Sequence, residues 1–349
     1  MAMPDAGLLE ERIARLLGGR EPPMLLTVVG TEGVVPRTVG TRAILAGDVL
    51  QESLGGGLFE AAVLEQARPA RKEGRSLVVR AGRDCGSDAA FKGGSLLVLC
   101  ESLRPEQAEV FALAGRMRHE GIQGLWTVDM TDASRPGRKL HVPASMPGTD
   151  ALPADALADL VGELRDGDVP AYDEGVRCYV EPLEPVPVLL LCGAGHVARE
   201  VADLASGVGF DVDVVDERQE FADPARFPGA RRCIALPGFE GLVEAMGIGR
   251  RHFVAIMTGD ADSDGKCLAQ TVASRARYVG MLGSRGKRES MFARLREGGV
   301  PDAELAAVCC PIGLGIGAVT PREIAVAIVA ELLAARSGGG KLQRLRVED

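Results

Sequence analysis

The stretch that decides the fold is LLLCGAGHVAREVADLASGVGFDVDVVDER, residues 189–218. An apolar strand runs into GAGHVA (residues 193–198), which matches the pattern G-x-G-x-x-A and opens a helical segment. A second apolar strand follows and ends at Asp216. This succession of strand, glycine-rich turn, helix and acid-terminated strand is typical of the first half of a Rossmann-type dinucleotide-binding unit.

Each position in this turn has an expected role. Gly193 allows the tight turn, Gly195 lets the backbone approach a phosphate, and the helix start offers amides and a positive dipole end. His196 lies in the first helical turn, where it either contacts a ligand or is simply exposed. Asp216 is placed to accept hydrogen bonds from ribose hydroxyls. The alternative is that the turn serves strand–helix packing alone.

The pattern continues outward from this stretch. Strands and helices alternate over residues 186–335, which predicts a doubly wound parallel sheet. Thr320, Pro321 and Glu323 mark the start of the last helix, as N-cap, first helical residue and capping-box acid. Residues 336–349 are interpreted as a flexible tail.

The N-terminal half has a different pattern. Residues 1–180 predict a separate α+β domain, with its clearest core at about 25–103 and a less regular part at 104–180, in which residues 133–139 read as a loop. The segment EPLEPVPV, residues 181–188, contains three prolines and predicts a stiff linker. The predicted fold class is therefore α/β, with a C-terminal Rossmann-like domain and a separate N-terminal α+β domain.

Two further segments end strands of the predicted parallel sheet. Three acids follow the fourth strand and either contact a ligand or cap the next helix: Asp260, Asp262 and Asp264. Polar and basic residues follow the fifth strand and either hold an anion or solvate a helix: Ser284, Arg285, Lys287 and Arg288. No acid/base pair for hydride transfer stands out in either segment, so the catalytic residues stay unassigned.

The N-terminal region has a second glycine-rich helix start. Gly55, Gly56 and Gly57 directly precede a helical segment, and such a turn can close its backbone amides around a phosphate. Arg37 and Arg42 offer forked donors to an anion. The alternative is a turn that needs glycine for close packing.

Composition excludes several classes of protein. The chain has 349 residues and a formal net charge of −9, and without a basic block it lacks the footprint of a nucleic-acid-binding protein. Its eight cysteines form no C-x-x-C pair and its four histidines are scattered, so no metal site is predicted. The sequence shows no signal peptide and no membrane-length apolar run, so we expect a cytoplasmic protein with reduced thiols.

Several motifs together resemble one family. They are PRTVG (36–40), GGGLFE (55–60), GAGH (193–196), YVGMLGSRGKR (278–288) and PIGLGIGAVTPREIAVAIVAEL (311–332). On these motifs the chain resembles the XdhC/CoxI family, accessory proteins of molybdenum hydroxylases of the xanthine dehydrogenase and carbon monoxide dehydrogenase type. The resemblance spans roughly residues 25–103 and 186–335.

The resemblance implies a chaperone-like maturation factor rather than an enzyme with turnover. Such a protein binds the molybdenum cofactor, as molybdopterin or its dinucleotide form, assists its sulfuration and passes it to a molybdenum hydroxylase apoenzyme. A cysteine desulfurase and a second copy of the chain are further expected partners. The expected cofactor-binding residues are Arg37, Gly55, Gly56, Gly57, Glu60, Gly193, Gly195, His196, Asp216, Ser284 and Arg285.

The sequence also departs from the family pattern. Leu58 stands where several relatives have Cys, and Lys92-Gly93-Gly94 stands where they have Cys-Gly-Gly. Residues 257–261 read MTGDA in place of the family's M-T-H-D-H. Cys85 lies near the lost thiols and is a candidate replacement. Two other functions stay open: an NAD(P)-dependent oxidoreductase, and a nucleotide or redox sensor that regulates molybdoenzyme assembly.

Overall fold

A computed structural model describes residues 8–82, 94–146, 151–166, 172–173 and 177–337 of the chain. The chain divides into two compact units, Met1–Pro185 and Val186–Asp349. Most of the tail predicted at 336–349 lies outside the described residues, as do Cys85, Lys92 and Gly93. No helix in the described part of the chain is both long and apolar enough to span a membrane.

The first unit begins with an antiparallel sheet. Its elements are α1 (Leu9–Leu17), β1 (Met24–Gly33), β2 (Arg42–Ala46), β3 (Val49–Gln51), α2 (Gly57–Lys72), β4 (Leu77–Gly82) and β5 (Gly94–Ser102). The strands lie in the order β3-β2-β1-β5-β4. Leu26 and Val28 of β1 face α2, while Leu25 and Val29 face the other way, so both faces of the central strand are buried.

A second five-stranded sheet completes the first unit. Its elements are α3 (Ala108–Glu120), β6 (Gly124–Asp129), β7 (Gly137–Pro143), β8 (Ala151–Leu152), α4 (Ala154–Asp166), β9 (Tyr172–Asp173) and β10 (Cys178–Leu183), in the strand order β8-β7-β6-β10-β9. Apolar side chains of this sheet and of α1 and α3 pack against the face of the first sheet that α2 leaves open, with Trp126 and Phe111 among the largest.

Two sequence interpretations in this unit are wrong. Residues 133–139 were expected to form a loop, but Gly137–Pro143 is strand β7, paired with β6. Residues 181–188 were expected to be a linker, yet Glu181, Pro182 and Leu183 are the end of β10, opposite β6. Pro182 is tolerated there because the other neighbour, β9, pairs only with Cys178 and Tyr179, so no ladder hydrogen bond is lost on that side.

The second unit is the predicted doubly wound sheet. Its elements are β11 (Val188–Cys192), α5 (His196–Gly207), β12 (Asp211–Asp216), β13 (Arg232–Ala235), α6 (Leu242–Met246), β14 (His252–Ile256), α7 (Ala261–Val272), β15 (Tyr278–Met281), α8 (Arg285–Glu297), α9 (Asp302–Ala306) and α10 (Pro321–Arg336). All five strands are parallel in the order β13-β12-β11-β14-β15. The predicted fold class is confirmed.

Helices cover both faces of this sheet. Val201 of α5 and Ile328 of α10 lie in the core on one face, and Leu268 of α7 and Phe292 of α8 lie in the core on the other. The strand order reverses at β11, which is flanked by β12 on one side and β14 on the other. Ligands of doubly wound sheets bind at the carboxyl edge near such a reversal, and in this chain that place is the turn after β11.

Candidate functional site

Gly193 fixes the turn after β11. Its φ of +104° is a conformation that favours glycine, and a Cβ there would lie 2.5 Å from the carbonyl oxygen of Met257 and 2.6 Å from Cα of Thr258. Its amide donates to the carbonyl oxygen of Val215 at 2.7 Å. The close approach of this turn to the end of β14 therefore needs glycine at position 193. This agrees with the tight turn predicted there.

Gly195 is a different kind of glycine. Its backbone is extended, with φ −75° and ψ −168°, and a Cβ there would meet no atom within 4 Å. Neither conformation nor packing in the described structure requires glycine at this position. The open space beside it is what a ligand that approaches the backbone would need, and this is the role predicted for Gly195.

The start of α5 lacks a side-chain cap. Gly195 is its N-cap residue and provides no side-chain acceptor. The helices that follow β14 and β15 differ: Asp260 caps α7 and Ser284 caps α8 through their side chains. The first amides of a helix have no partner within the helix, so those at the start of α5 can bind an external anion.

The backbone of Ala194 is held through both of its polar groups. Its amide donates to Oδ2 of Asp216 at 2.8 Å, and its carbonyl oxygen accepts from Nη2 of Arg226 at 3.0 Å. In a trans peptide the carbonyl and the following N–H point in opposite directions, so the amide of Gly195 points away from Arg226. These contacts fix the orientation of the turn without a ligand.

Asp216 lies at the end of β12, as predicted, but its carboxylate is occupied by protein donors. Oδ1 accepts from the backbone amide and Nε of Arg218, and Oδ2 accepts from the amide of Ala194 and Nη2 of Arg218, all at 2.8–3.0 Å. Burial alone would raise the pKa of Asp216, but the hydrogen bonds from Arg218 and Ala194 bring it below its usual value. The carboxylate is therefore ionised and anchors the turn.

Arg218 and Arg226 are features that the sequence interpretation missed. The guanidinium of Arg218 lies 3.6 Å from the ring centroid of Phe221, and that of Arg226 lies 4.6 Å from the same centroid. Cations over an aromatic ring are attracted to its π-electrons. The signal was present in the sequence, because an arginine follows Asp216 by two residues and precedes a phenylalanine by three.

The acids after β14 have structural partners. Asp260 accepts from the amides of Asp262 and Ser263 at 3.0 and 2.8 Å, which is the helix-cap alternative. Asp264 is fully buried, accepts from the amide and hydroxyl of Thr258, and forms an ion pair with Nζ of Lys287. This pair joins the start of α7 to the first turn of α8.

The residues predicted after β15 lie at the start of α8. Oγ of Ser284 accepts from the amide of Lys287 at 3.2 Å, so its side chain serves as the helix cap. Arg285 is the first residue of α8 and is exposed, like His196 at the start of α5. The fold thus brings the predicted residues of the second unit to one edge of the sheet, where their contacts to a cofactor remain predictions.

The first unit brings its two glycine and arginine motifs together. Gly55 has a φ of +117°, and a Cβ there would lie 2.6 Å from Cγ of Pro36 and 3.3 Å from Cγ of Arg37. A Cβ at Gly56 or Gly57 would meet nothing within 4 Å, and Gly56 gives α2 no side-chain cap. The exposed Arg37 therefore lies beside an uncapped, glycine-lined helix start.

Glu60 supports this turn from α2. Its Oε2 accepts from Oγ of Ser53 at 3.0 Å and from the amide of Leu54 at 3.1 Å, and Oγ of Ser53 in turn accepts from the amide of Gly55. The carboxylate of Glu60 therefore holds the polypeptide that precedes the glycines. Its predicted contact with a cofactor would be indirect in this arrangement.

Over the described ranges, no three His, Cys, Asp or Glu side chains are grouped so that they could hold a metal ion. Glycine-lined helix starts with adjacent arginine are suited to phosphate.

Comparison with known proteins agrees with this arrangement. A family model described as the XdhC Rossmann domain matches residues 189–332, and one described as the XdhC and CoxI family matches residues 16–82. The chain belongs to the XdhC and CoxI family. The two models include the glycine turns of both units, and the XdhC and CoxI match ends at residue 82, before the predicted limit of 103.

Two curated relatives of this XdhC and CoxI protein match it over part of their length. It is 36% identical over 162 residues to the uncharacterised protein YqeB of Escherichia coli. The matched region covers 45% of this chain and 29% of YqeB. It is 30% identical over 185 residues to a Bacillus subtilis protein described as a probable subunit of xanthine dehydrogenase. The matched region covers 53% of each chain. The chain thus spans about half or less of the curated relatives that it matches.

A solved structure confirms the fold over nearly the whole chain. The crystal structure of a protein described as a xanthine dehydrogenase from Bacillus halodurans has a TM-score of 0.76 and covers 96% of this chain and 98% of its own. The sequence identity is 22%, so this likeness concerns the fold alone.

Proposed function

We propose that this protein binds the molybdenum cofactor and assists its maturation and transfer to a molybdenum hydroxylase of the xanthine dehydrogenase type. Family membership supports the accessory role, and the Bacillus subtilis relative described as a probable xanthine dehydrogenase component supports the type of client. The observation that carries the proposal is the start of α5, which is uncapped and open at Gly195.

The proposed ligand fits this geometry. The molybdenum cofactor carries a phosphate on a pterin, and a helix start with free amides and a positive dipole end stabilises such a group. The turn keeps its shape without a ligand because Asp216 holds the backbone amide of Ala194 and Arg226 holds its carbonyl oxygen. Binding of the phosphate therefore costs little conformational entropy in this turn.

The second glycine-lined start, at α2, offers the same chemistry beside Arg37. When bound, the cofactor would supply the molybdenum centre on which the client enzyme depends. The residues of this chain would bind its phosphate and pterin ends. Sulfuration would draw sulfur from a cysteine desulfurase as a separate partner. Each unit by itself offers a glycine-lined helix start to the cofactor in its molybdopterin or dinucleotide form.

Purification from a host that makes the cofactor tests the proposal. The purified chain should contain molybdenum and release a fluorescent oxidised pterin in equal amounts. Arg37→Ala should lower this content by about tenfold or more, because a hydrogen bond to a charged group contributes roughly 1.5–3 kcal/mol. Arg75→Ala is the matched control, since Arg75 is exposed and pairs with its neighbour Glu73. Wild-type protein free of pterin and molybdenum would contradict the proposal.

A further inference from the structure

The carboxylate of Asp216 has no capacity left for a ribose. An ionised carboxylate offers about four lone-pair positions. Its two oxygens already accept four hydrogen bonds, three from Arg218 and one from Ala194. In Rossmann-type sites an acid at this position accepts the hydroxyls of an adenosine ribose, and its availability favours NAD. That interaction would require Asp216 to give up existing bonds.

Arg218 occupies the position beside this acid. Its Nε and Nη2 bind Asp216, whereas Nη1 donates to no acceptor within the described ranges. One face of the guanidinium lies on Phe221, and the side chain is 42% exposed. A fixed, partly exposed guanidinium with free donors is a binding group for a phosphate.

We infer that the ribose subsite at the end of β12 binds a nucleotide with a phosphate on its adenosine ribose, as in NADP, in preference to NAD. The 2′-phosphate would accept hydrogen bonds from Nη1 of Arg218. An arginine near this strand end is the usual means of accommodating a 2′-phosphate. The inference goes beyond cofactor binding and does not depend on it. Both ligands would place a phosphate at the start of α5, so each would exclude the other.

Nearby acids do not reverse this preference. Glu217 and Glu220 act on Arg218 electrostatically and raise its pKa together with the stronger hydrogen bond to Asp216. Both acids are exposed, where solvent and salt screen their effect on a bound phosphate. Glu217 also lies within 3.5 Å of Oγ of Ser263 at the start of α7, on the β14 side.

The test measures binding of 2′,5′-ADP, 5′-AMP, NADP and NAD to the full chain by calorimetry. Wild-type protein should bind 2′,5′-ADP and NADP about tenfold or more tightly than 5′-AMP and NAD. Arg218→Gln should abolish this ratio. It should also strengthen NAD binding, because Asp216 then regains two free lone-pair positions for the ribose hydroxyls. Arg218→Lys should keep part of the ratio because it keeps the charge.

Arg296→Gln is the matched control, since Arg296 is an exposed residue of α8 that pairs with Asp302. It should leave all four affinities unchanged. Equal or tighter binding of NAD, no binding of any of the four nucleotides, or a ratio that survives in Arg218→Gln would each overturn the inference. Because molybdenum and pterin content are measured separately, this failure is distinguishable from failure of the cofactor-binding proposal.

Discussion

Oδ2 of Asp216 accepts a 2.8 Å hydrogen bond from the amide of Ala194, and this contact ties the end of β12 to the turn after β11. The acid that the sequence assigns to a ligand therefore shapes the site that the ligand would enter. The carbonyl oxygen of Ala194, in the next peptide group, accepts a hydrogen bond from Nη2 of Arg226. The turn is thus held in one orientation by two strongly polar side chains, and the glycine after it is left open.

The two glycines of the turn should respond differently to alanine. Gly193→Ala forces a Cβ to within 2.5 Å of the carbonyl oxygen of Met257 at a φ of +104°. The strained backbone alone costs about 1–3 kcal/mol, and the clash adds to it. Gly195→Ala should change the free energy of unfolding by about 0.5 kcal/mol or less. Urea denaturation of both variants measures the difference, and similar losses in the two would contradict this account of the turn.

The contribution of Asp216 to stability should depend on pH. Its native pKa is lowered, so its stabilising effect is complete above the unfolded pKa of about 3.9 and is lost as the pH falls through the lower native pKa. Asp216→Asn should lower the free energy of unfolding by about 1–3 kcal/mol at pH 7. This deficit should shrink below about pH 4.

Melting temperatures of wild type and Asp216→Asn between pH 3 and pH 7 check this dependence. Asp302→Asn serves as the control, since Asp302 is an exposed acid paired with Arg296. The control should show a small difference from wild type at every pH. A deficit in Asp216→Asn that is the same at pH 3 and pH 7 would show that the charge on Asp216 is not what stabilises the turn.

Glu60 should stabilise the glycine turn of the first unit. Glu60→Ala removes the acceptor of both Oγ of Ser53 and the amide of Leu54. The expected loss is about 1–3 kcal/mol in the free energy of unfolding, with faster hydrogen exchange at Leu54. Glu65→Ala, at an exposed position of the same helix, is the control. Unchanged exchange at Leu54 in Glu60→Ala would mean that the carboxylate is free for another role.

The sequence predicts the second unit well because its signals are local. The alternation of strands and helices, the glycine turn at Gly193 and the cap at Thr320 each depend on a few neighbouring residues, and the structure contains all of them. The connection at residues 181–188 was misjudged because three prolines suggest an exposed linker. Strand pairing between β10 and β6 joins residues that are 49 to 59 positions apart, which composition does not reveal.

For the site residues too, local features could be predicted from the sequence and contacts between side chains could not. The sequence correctly places Asp216 at the end of a strand and Asp260 after one, but it does not show which partners they meet. Asp216 meets Arg218, whose side chain folds back, and Asp260 meets the amides of its own helix. Arg226 escaped notice because its contact with Ala194 joins residues 32 positions apart.

The most direct test of the central claim compares two identical substitutions at opposite ends of α5. Gly195→Val places a side chain where a phosphate would approach, and Gly207→Val adds the same side chain at the far end. At both positions a Cβ meets nothing within 4 Å. Each variant is purified from a cofactor-producing host, and its molybdenum and oxidised pterin are measured per chain alongside circular dichroism. We predict that Gly207→Val retains the wild-type content while Gly195→Val loses most of it with an unchanged spectrum; equal retention by the two variants would contradict the claim that the start of α5 holds the cofactor.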